Sequence, residues 1–222
     1  MNKIFTIVLS LLAFGLFAQQ DAESKTPKDP KAKAILDKLS AKTKTYSSIT
    51  AEFEFRLVNK GEGIDDKQKG TLILKGEKYK VLLNQMEIIC NSTTVWTYMK
   101  DVKEVQLAEV DEDEDDAIFM NPKNLFTLYE TGFKYVLADN EVKDGKAVNV
   151  IKLFPLDPSD KSYHTIILYI DKVKTEIQSF EMKSKDGNTF IYTISSFKPN
   201  IKYSDTFFEF KTPEGVEEVD LR

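Results

Sequence analysis

Few side chains in this chain are of a type that does chemistry, and their spacing decides most of what it could catalyse. His164 is the only histidine, which excludes every metal motif built on a pair of histidines and leaves one imidazole as the sole histidine base. It falls in an alternating apolar run that reads as a strand, where a lone histidine is ordinarily a surface residue. Cys90 is the only cysteine, so no internal disulfide can form. Period-two spacing puts it on one strand face with Met86 and Ile88, so it is expected to point at an apolar interior. Neither a G-x-S-x-G nucleophile elbow nor a G-x-x-x-x-G-K-[ST] phosphate loop occurs. Gly61-Glu62-Gly63 starts like a dinucleotide fingerprint but continues Ile64-Asp65-Asp66 without a third glycine, so it reads as a hairpin tip. The run Asp111 to Asp116 spaces Asp111, Asp113 and Asp115 like the start of a calcium loop. It then has Asp116 where glycine is needed and Pro122 where a bidentate glutamate belongs. That leaves a solvated loop or a docking element for a basic partner. Asn91-Ser92-Thr93 is a formal glycosylation triplet between two strand-like runs. These residues point away from an enzyme, and neither cofactor nor metal is expected.

The elements that must position these residues follow from composition and pattern. The chain has 222 residues, 41% apolar, 11% aromatic and 30% charged, enough to bury a core of ordinary size. Residues 4–18 are uncharged and apolar behind Lys3, too short for a bilayer span of about 20 residues, and Ala18 offers a cleavage point. Residues 1–18 therefore read as a secretory signal peptide, 19–30 as a flexible polar leader, and 31–222 as a single domain. Losing Lys3 makes the mature balance one charge more negative than the full chain's net of -5. No basic patch with interleaved aromatics stands out, so nucleic acid is set aside as a partner.

Asp29-Pro30 is an N-cap and first-turn pair, and Ala32, Ile35, Leu36 and Leu39 repeat at helical spacing, which predicts a helix over 30–45 with one apolar face. From Ile49 the period becomes two. Strands are predicted at 49–57, 69–75, 78–83, 86–91, 94–99, 102–108, 133–138, 147–154, 163–170, 175–183 and 189–197, with a closing strand at 206–213. The spacing is that of an antiparallel meander of about eleven strands. Residues 121–132 read as a short second helix closed by Gly132. Ile166–Ile170 and Thr71–Leu74 are apolar on both faces, so something must cover both sides of the sheet there. Two architectures satisfy that pattern: a curved sheet with an apolar concave side partly roofed by helices, or a helix-covered sheet with a solid core.

Three segments, in this order, resemble the periplasmic outer-membrane lipoprotein carrier family, LolA. They are AKAILDKLSAKTKTYSSITAEFEF (32–55), GTLILKGEKYKVLL with TTVWTYMKDVKEV, and the C-terminal TFFEFKTPEGVEEVDLR. The resemblance implies a mainly β fold with helices, an unclosed antiparallel β-barrel of about eleven strands with a helical lid over an apolar cavity. It implies acylated lipoproteins as cargo, an inner-membrane ATP-driven lipoprotein exporter that loads the carrier, an outer-membrane acceptor that unloads it, and a monomer in the periplasm. The wall residues expected on this basis are Phe53, Phe55, Leu72, Leu74, Tyr79, Val81, Leu83, Ile88 and Trp96, with Leu125, Phe126 and Tyr129 on the lid. Well-studied members carry an arginine just after the strand corresponding to TLILK; here that place is near Gly76, and Lys75 is the nearest base. On the same fold the alternative is a periplasmic module for another lipid, or a regulator that senses misplaced lipoproteins. A regulator of that kind would be expected to need a second domain, and a membrane-anchored receptor a cysteine at the mature N-terminus, where this chain has Ala18-Gln19.

Overall fold

Alternating side chains along the strands, and the turn residues between them, generate a single large sheet. The computed structural model describes residues 28–110, 129–130, 132–138, 141–143, 145–159 and 161–222. The elements are α1 (Pro30–Thr43), β1 (Ile49–Asn59), β2 (Ile64–Lys75), β3 (Lys78–Leu82), β4 (Met86–Cys90), β5 (Thr94–Met99), β6 (Glu104–Glu109), β7 (Phe133–Leu137), β8 (Glu141–Lys143), β9 (Lys146–Pro155), β10 (Tyr163–Asp171), β11 (Ile177–Ser184), β12 (Thr189–Pro199) and β13 (Glu217–Asp220). Their order across the sheet is β13-β6-β5-β4-β3-β2-β1-β12-β11-β10-β9-β7, with β8 paired to β9. Pairing is antiparallel except for β13, which runs parallel to β6. β7 and β13 lie at opposite ends of this order, so among the described residues the sheet is an unclosed barrel rather than a sealed one. No described helix is long and apolar enough to cross a membrane.

The meander runs from β1 to β6, and β12 then returns to pair with β1. The β1–β12 and β10–β11 ladders both carry extra residues. Between β1 and β12 the register shifts at Glu52/Phe53, so Ile194 and Phe197 pair with Phe53 and Ala51 while Ser195 is left over. Ser195 donates its hydroxyl to the Glu52 carbonyl at 3.1 Å. Between β10 and β11 the shift at Tyr169/Ile170 leaves Gln178 over, and Ile177 pairs with Ile170. Each bulge flips the side-chain parity, so residues three apart face the same way.

The Asp29 carboxylate caps α1 by accepting from the Lys31 and Ala32 N–H groups at 2.8 and 3.3 Å. Its other oxygen accepts from the Leu137 N–H at 3.1 Å, and the Asp29 N–H donates to the Tyr135 carbonyl, so the cap also occupies the free edge of β7. These bonds hold the Asp29 carboxyl below the usual carboxylate range. Ala32, Leu36 and Leu39 are fully buried against Tyr135, Ile151, Leu153, Ile166, Leu168 and Ile170. We call the sheet face under α1 the inner face.

The outer face is also covered, as the two-sided apolar runs require. Val148, Val150 and Ile167 form a cluster there with Ala138 and Tyr169. Over the other half lies the C-terminal segment. The expected closing strand at 206–213 is instead a 3₁₀ turn, Asp205–Phe208, followed by irregular chain, and the last strand is β13. A strand would send Phe207 and Phe208 to opposite sides. The turn lets both rings pack with Tyr203, at 4.8 and 6.1 Å between centroids. Lys75 and Lys78 anchor that turn through Asp205 at 2.9 and 3.2 Å. The expected second helix over 121–132 and the acidic run 111–116 lie outside the described residues, apart from Tyr129, Glu130 and Gly132.

Candidate functional site: the inner face of β1–β5 and β12

The inner face divides into two apolar clusters that meet at one tyrosine. The first is the α1-roofed cluster over β7 and β9–β11. The second is built from Ile49, Ala51, Phe53, Leu74, Tyr79, Val81, Ile88, Cys90 and Val95, with partly buried Tyr46, Phe55, Leu72, Leu83, Met86, Val110, Tyr192, Ile194 and Phe197 around them. Tyr192 packs against both clusters. Its ring stacks on Phe180 at 4.5 Å between centroids and lies 5.6 and 5.0 Å from Phe53 and Phe55. Burial pushes its phenol well above the usual tyrosine range.

Of the residues expected to form an apolar wall, Phe53, Phe55, Leu72, Leu74, Tyr79, Val81, Leu83 and Ile88 all fall in the second cluster. Trp96 does not join them. It pairs with Ile89 and Leu107, while the inner side of the same ladders carries Val95 opposite Cys90, so the indole projects from the outer face. There it lies 6.5 Å from the Phe210 ring, with Tyr98 on the same ring at 5.6 Å. Of the expected lid, Leu125 and Phe126 lie outside the described residues. Tyr129 is buried in the roofed cluster, donates to Asp37 on α1 at 3.2 Å, and has its phenol pushed up to about 12, chiefly by burial.

Sequence spacing missed the β12 contribution, Tyr192, Ile194 and Phe197, because the Ser195 bulge breaks the period of two. It also missed Gly70. That residue pairs with Phe53, and a Cβ placed on it would stand 2.5 Å from the Phe53 Cζ and 2.7 Å from a Leu83 methyl. The glycine lets the Phe53 ring and Leu83 lie flat across β2, a signal readable only once the partner strand is known.

Of the reactive side chains, only Cys90 belongs to this apolar surface, as a buried member of its core. His164 is exposed, with Nδ1 2.8 Å from the Thr165 hydroxyl. Cys90 is buried, and that burial pushes its thiol up. Lys75 donates to the Tyr203 carbonyl at 2.8 Å and to Asp205 at 2.9 Å, on the outer face, so it brings no cation to the apolar inner side. Among the described residues no group of three or more His, Cys, Asp or Glu could hold a metal ion. What this face offers is dispersion and desolvation of hydrocarbon.

The family profile described as outer membrane lipoprotein carrier protein LolA matches residues 43–211. An outer-membrane lipoprotein carrier protein of Francisella philomiragia is 26% identical over 204 residues, covering 83% of this chain and 87% of the relative. One from Francisella tularensis is 23% identical over 198 residues, covering 81% and 84%. The fold is similar to the crystal structure of an uncharacterized conserved protein from Thermus thermophilus, at a TM-score of 0.56 and 10% identity, covering 86% of this chain and 99% of that one. With the profile spanning most of the strands that build both clusters, the chain belongs to the outer membrane lipoprotein carrier protein LolA family.

Proposed function

We propose that the protein is a periplasmic carrier that takes up the acyl chains of lipoproteins on the inner face of β1–β5 and β12 and moves them from the inner to the outer membrane. The observation that carries this reading is the partly buried apolar lining, Phe55, Leu72, Leu83, Met86, Ile194 and Phe197, on the half of the inner face that α1 leaves uncovered. Burying one acyl chain of about 15 methylenes stabilises by roughly 12 kcal/mol at about 0.8 kcal/mol per methylene, so a lipoprotein with bare chains needs such a surface to cross water. Release requires that the contact be broad and loose rather than tight. A lining whose members each keep part of their surface open meets that requirement. In this reading an ATP-driven inner-membrane exporter loads the protein, an outer-membrane acceptor unloads it, the working form is a monomer, and the carrier performs no covalent step.

The test is transfer. Protein lacking residues 1–18 is incubated with inner-membrane vesicles holding a radiolabelled triacyl lipoprotein, with and without ATP. Label appearing in the soluble fraction bound to the protein, only with ATP, is the expected result. Label that stays on the vesicles while the protein binds a free lipid would favour a different lipid-binding role.

A further inference from the structure

On the half of the inner face that α1 leaves uncovered, every base in the surrounding strands points away. The ladders fix which side each residue takes. Ala51, Leu72, Val81, Ile88, Thr97 and Gln106 pair in one row across β1–β6, and the residues between them lie on the other side. Arg56, Lys67, Lys69, Lys75, Lys78, Lys80 and Lys198 all take outer positions. Several are tied there: Arg56 to Asp65 at 2.6 Å, Lys75 to Asp205 at 2.9 Å, and Lys80 over the Phe207 ring at 4.5 Å. Among the described residues no inward position of β1–β6, β12 or β13 carries a lysine or arginine. Of the bases flanking these strands, Lys42 and Lys44 at the end of α1 pair with Glu176 and Glu130, and Lys100 pairs with Glu87. Lys60 and Lys103 stand in turns that also carry Glu62 and Asp101.

Acids do reach the inner side. The apolar row ends in Thr97 and Gln106, and in the next row Met86 pairs with Met99, Met99 with Glu104, and Glu104 with Glu217 on β13. Gln106 donates to Glu104 at 2.9 Å, and neither glutamate forms an ion pair among the described residues. At the other border, towards the β1–β2 turn, Phe55 and Leu57 pair with Gln68 and Asp66. Both borders of the apolar lining thus hold amides and carboxylates without a base. An acyl chain lying on the lining brings its head to a border, because the two are covalently joined. Charges beside an apolar surface are screened less than in water. An anionic head would meet like charge there and lose hydration with nothing to replace it. An uncharged ester or amide head would find the Thr97 hydroxyl and the Gln68 and Gln106 amides. We propose that the inner face selects by charge, taking amphiphiles with uncharged or cationic heads and rejecting anionic lipids. Such discrimination comes from a built-in repulsion rather than from added attraction. The proposal deepens the carrier reading and rests on its placement of acyl chains on this face.

The experiment uses protein lacking residues 1–18 with Nile red, an uncharged dye, bound to its apolar surface. Three amphiphiles of one chain length compete for it, each below its micelle concentration: dodecyltrimethylammonium, monolauroylglycerol and ionised laurate. At low salt the first two should displace the dye at concentrations at least about tenfold lower than laurate. The gap between the two ions should shrink at high salt. That gap, as a ratio within one preparation, cancels any general loss of binding. Glu104→Gln with Glu217→Gln should narrow it by about fivefold, and Gln106→Lys should narrow it as well. The same change of net charge on the outer side of β1, Glu52→Gln with Glu54→Gln, should leave it in place. Laurate binding as well as the other two, a ratio unmoved by the inner variants, or an equal shift from the outer pair would each overturn the proposal and leave the carrier reading standing. Failure of all three amphiphiles to displace the dye would remove the carrier reading, and this proposal with it.

Discussion

Gly70 shows how a missing side chain can shape an apolar surface. Its φ does not lie in the left-handed region, so no backbone demand explains it; space does. At an open strand position, replacing glycine with a β-branched residue removes a penalty of roughly 0.5–1 kcal/mol. Here the new Cβ falls 2.5 Å from the Phe53 ring and 2.7 Å from Leu83, and overpacking of that kind costs about 1–3 kcal/mol. The clash outweighs the propensity gain, so Gly70→Val is expected to lower stability by about 1–2 kcal/mol in urea denaturation. It should also cut acyl-chain capture by lifting Phe53 and Leu83 out of line. A more stable variant with undiminished capture would mean that the ring has free room to turn away.

At the scale of elements, the outer face separates what the sequence made legible from what it hid. Regular alternation revealed the strands from β1 to β7 and from β9 to β12, and the Asp29-Pro30 signal placed α1, because each depends on residues near in sequence. The assignment of Trp96 to a wall failed for the opposite reason. Residues 94–99 alternate plainly, but which side faces inward depends on Phe210, more than a hundred residues away. The C-terminal segment misled in the same way, since Phe207, Phe208 and Phe210 read as a strand until Tyr203, Lys75 and Lys78 are placed beneath them. Trp96 is the only tryptophan, which makes the arrangement measurable. Phe210→Ala should uncover the indole and shift its emission to the red while leaving acyl-chain capture unchanged, because the change is on the far side of the sheet. An unshifted spectrum, or capture lost along with the shift, would place Trp96 on the inner side after all.

For the whole molecule, the two candidate architectures, solid core and apolar hollow, each describe one half. The α1-roofed half is packed throughout, with Leu36, Leu153, Ile166 and Ile170 at 0% exposure. The other half keeps a ring of partly buried side chains, and Tyr192 is the seam between them. This division predicts a double dissociation, resting on the carrier reading. Leu36→Ala removes a fully buried side chain and should cost about 2–5 kcal/mol, yet the molecules that remain folded should capture acyl chains as before. Phe55→Ser and Ile194→Ser each remove a partly buried side chain and should cost about 1–3 kcal/mol, yet each should reduce capture several-fold. Denaturation curves and capture per folded molecule, measured on the same preparations, read the two effects separately. If Leu36→Ala abolished capture at a temperature where the protein is fully folded, the roofed half would have to open for cargo, and the packed core would be part of the binding surface rather than its support.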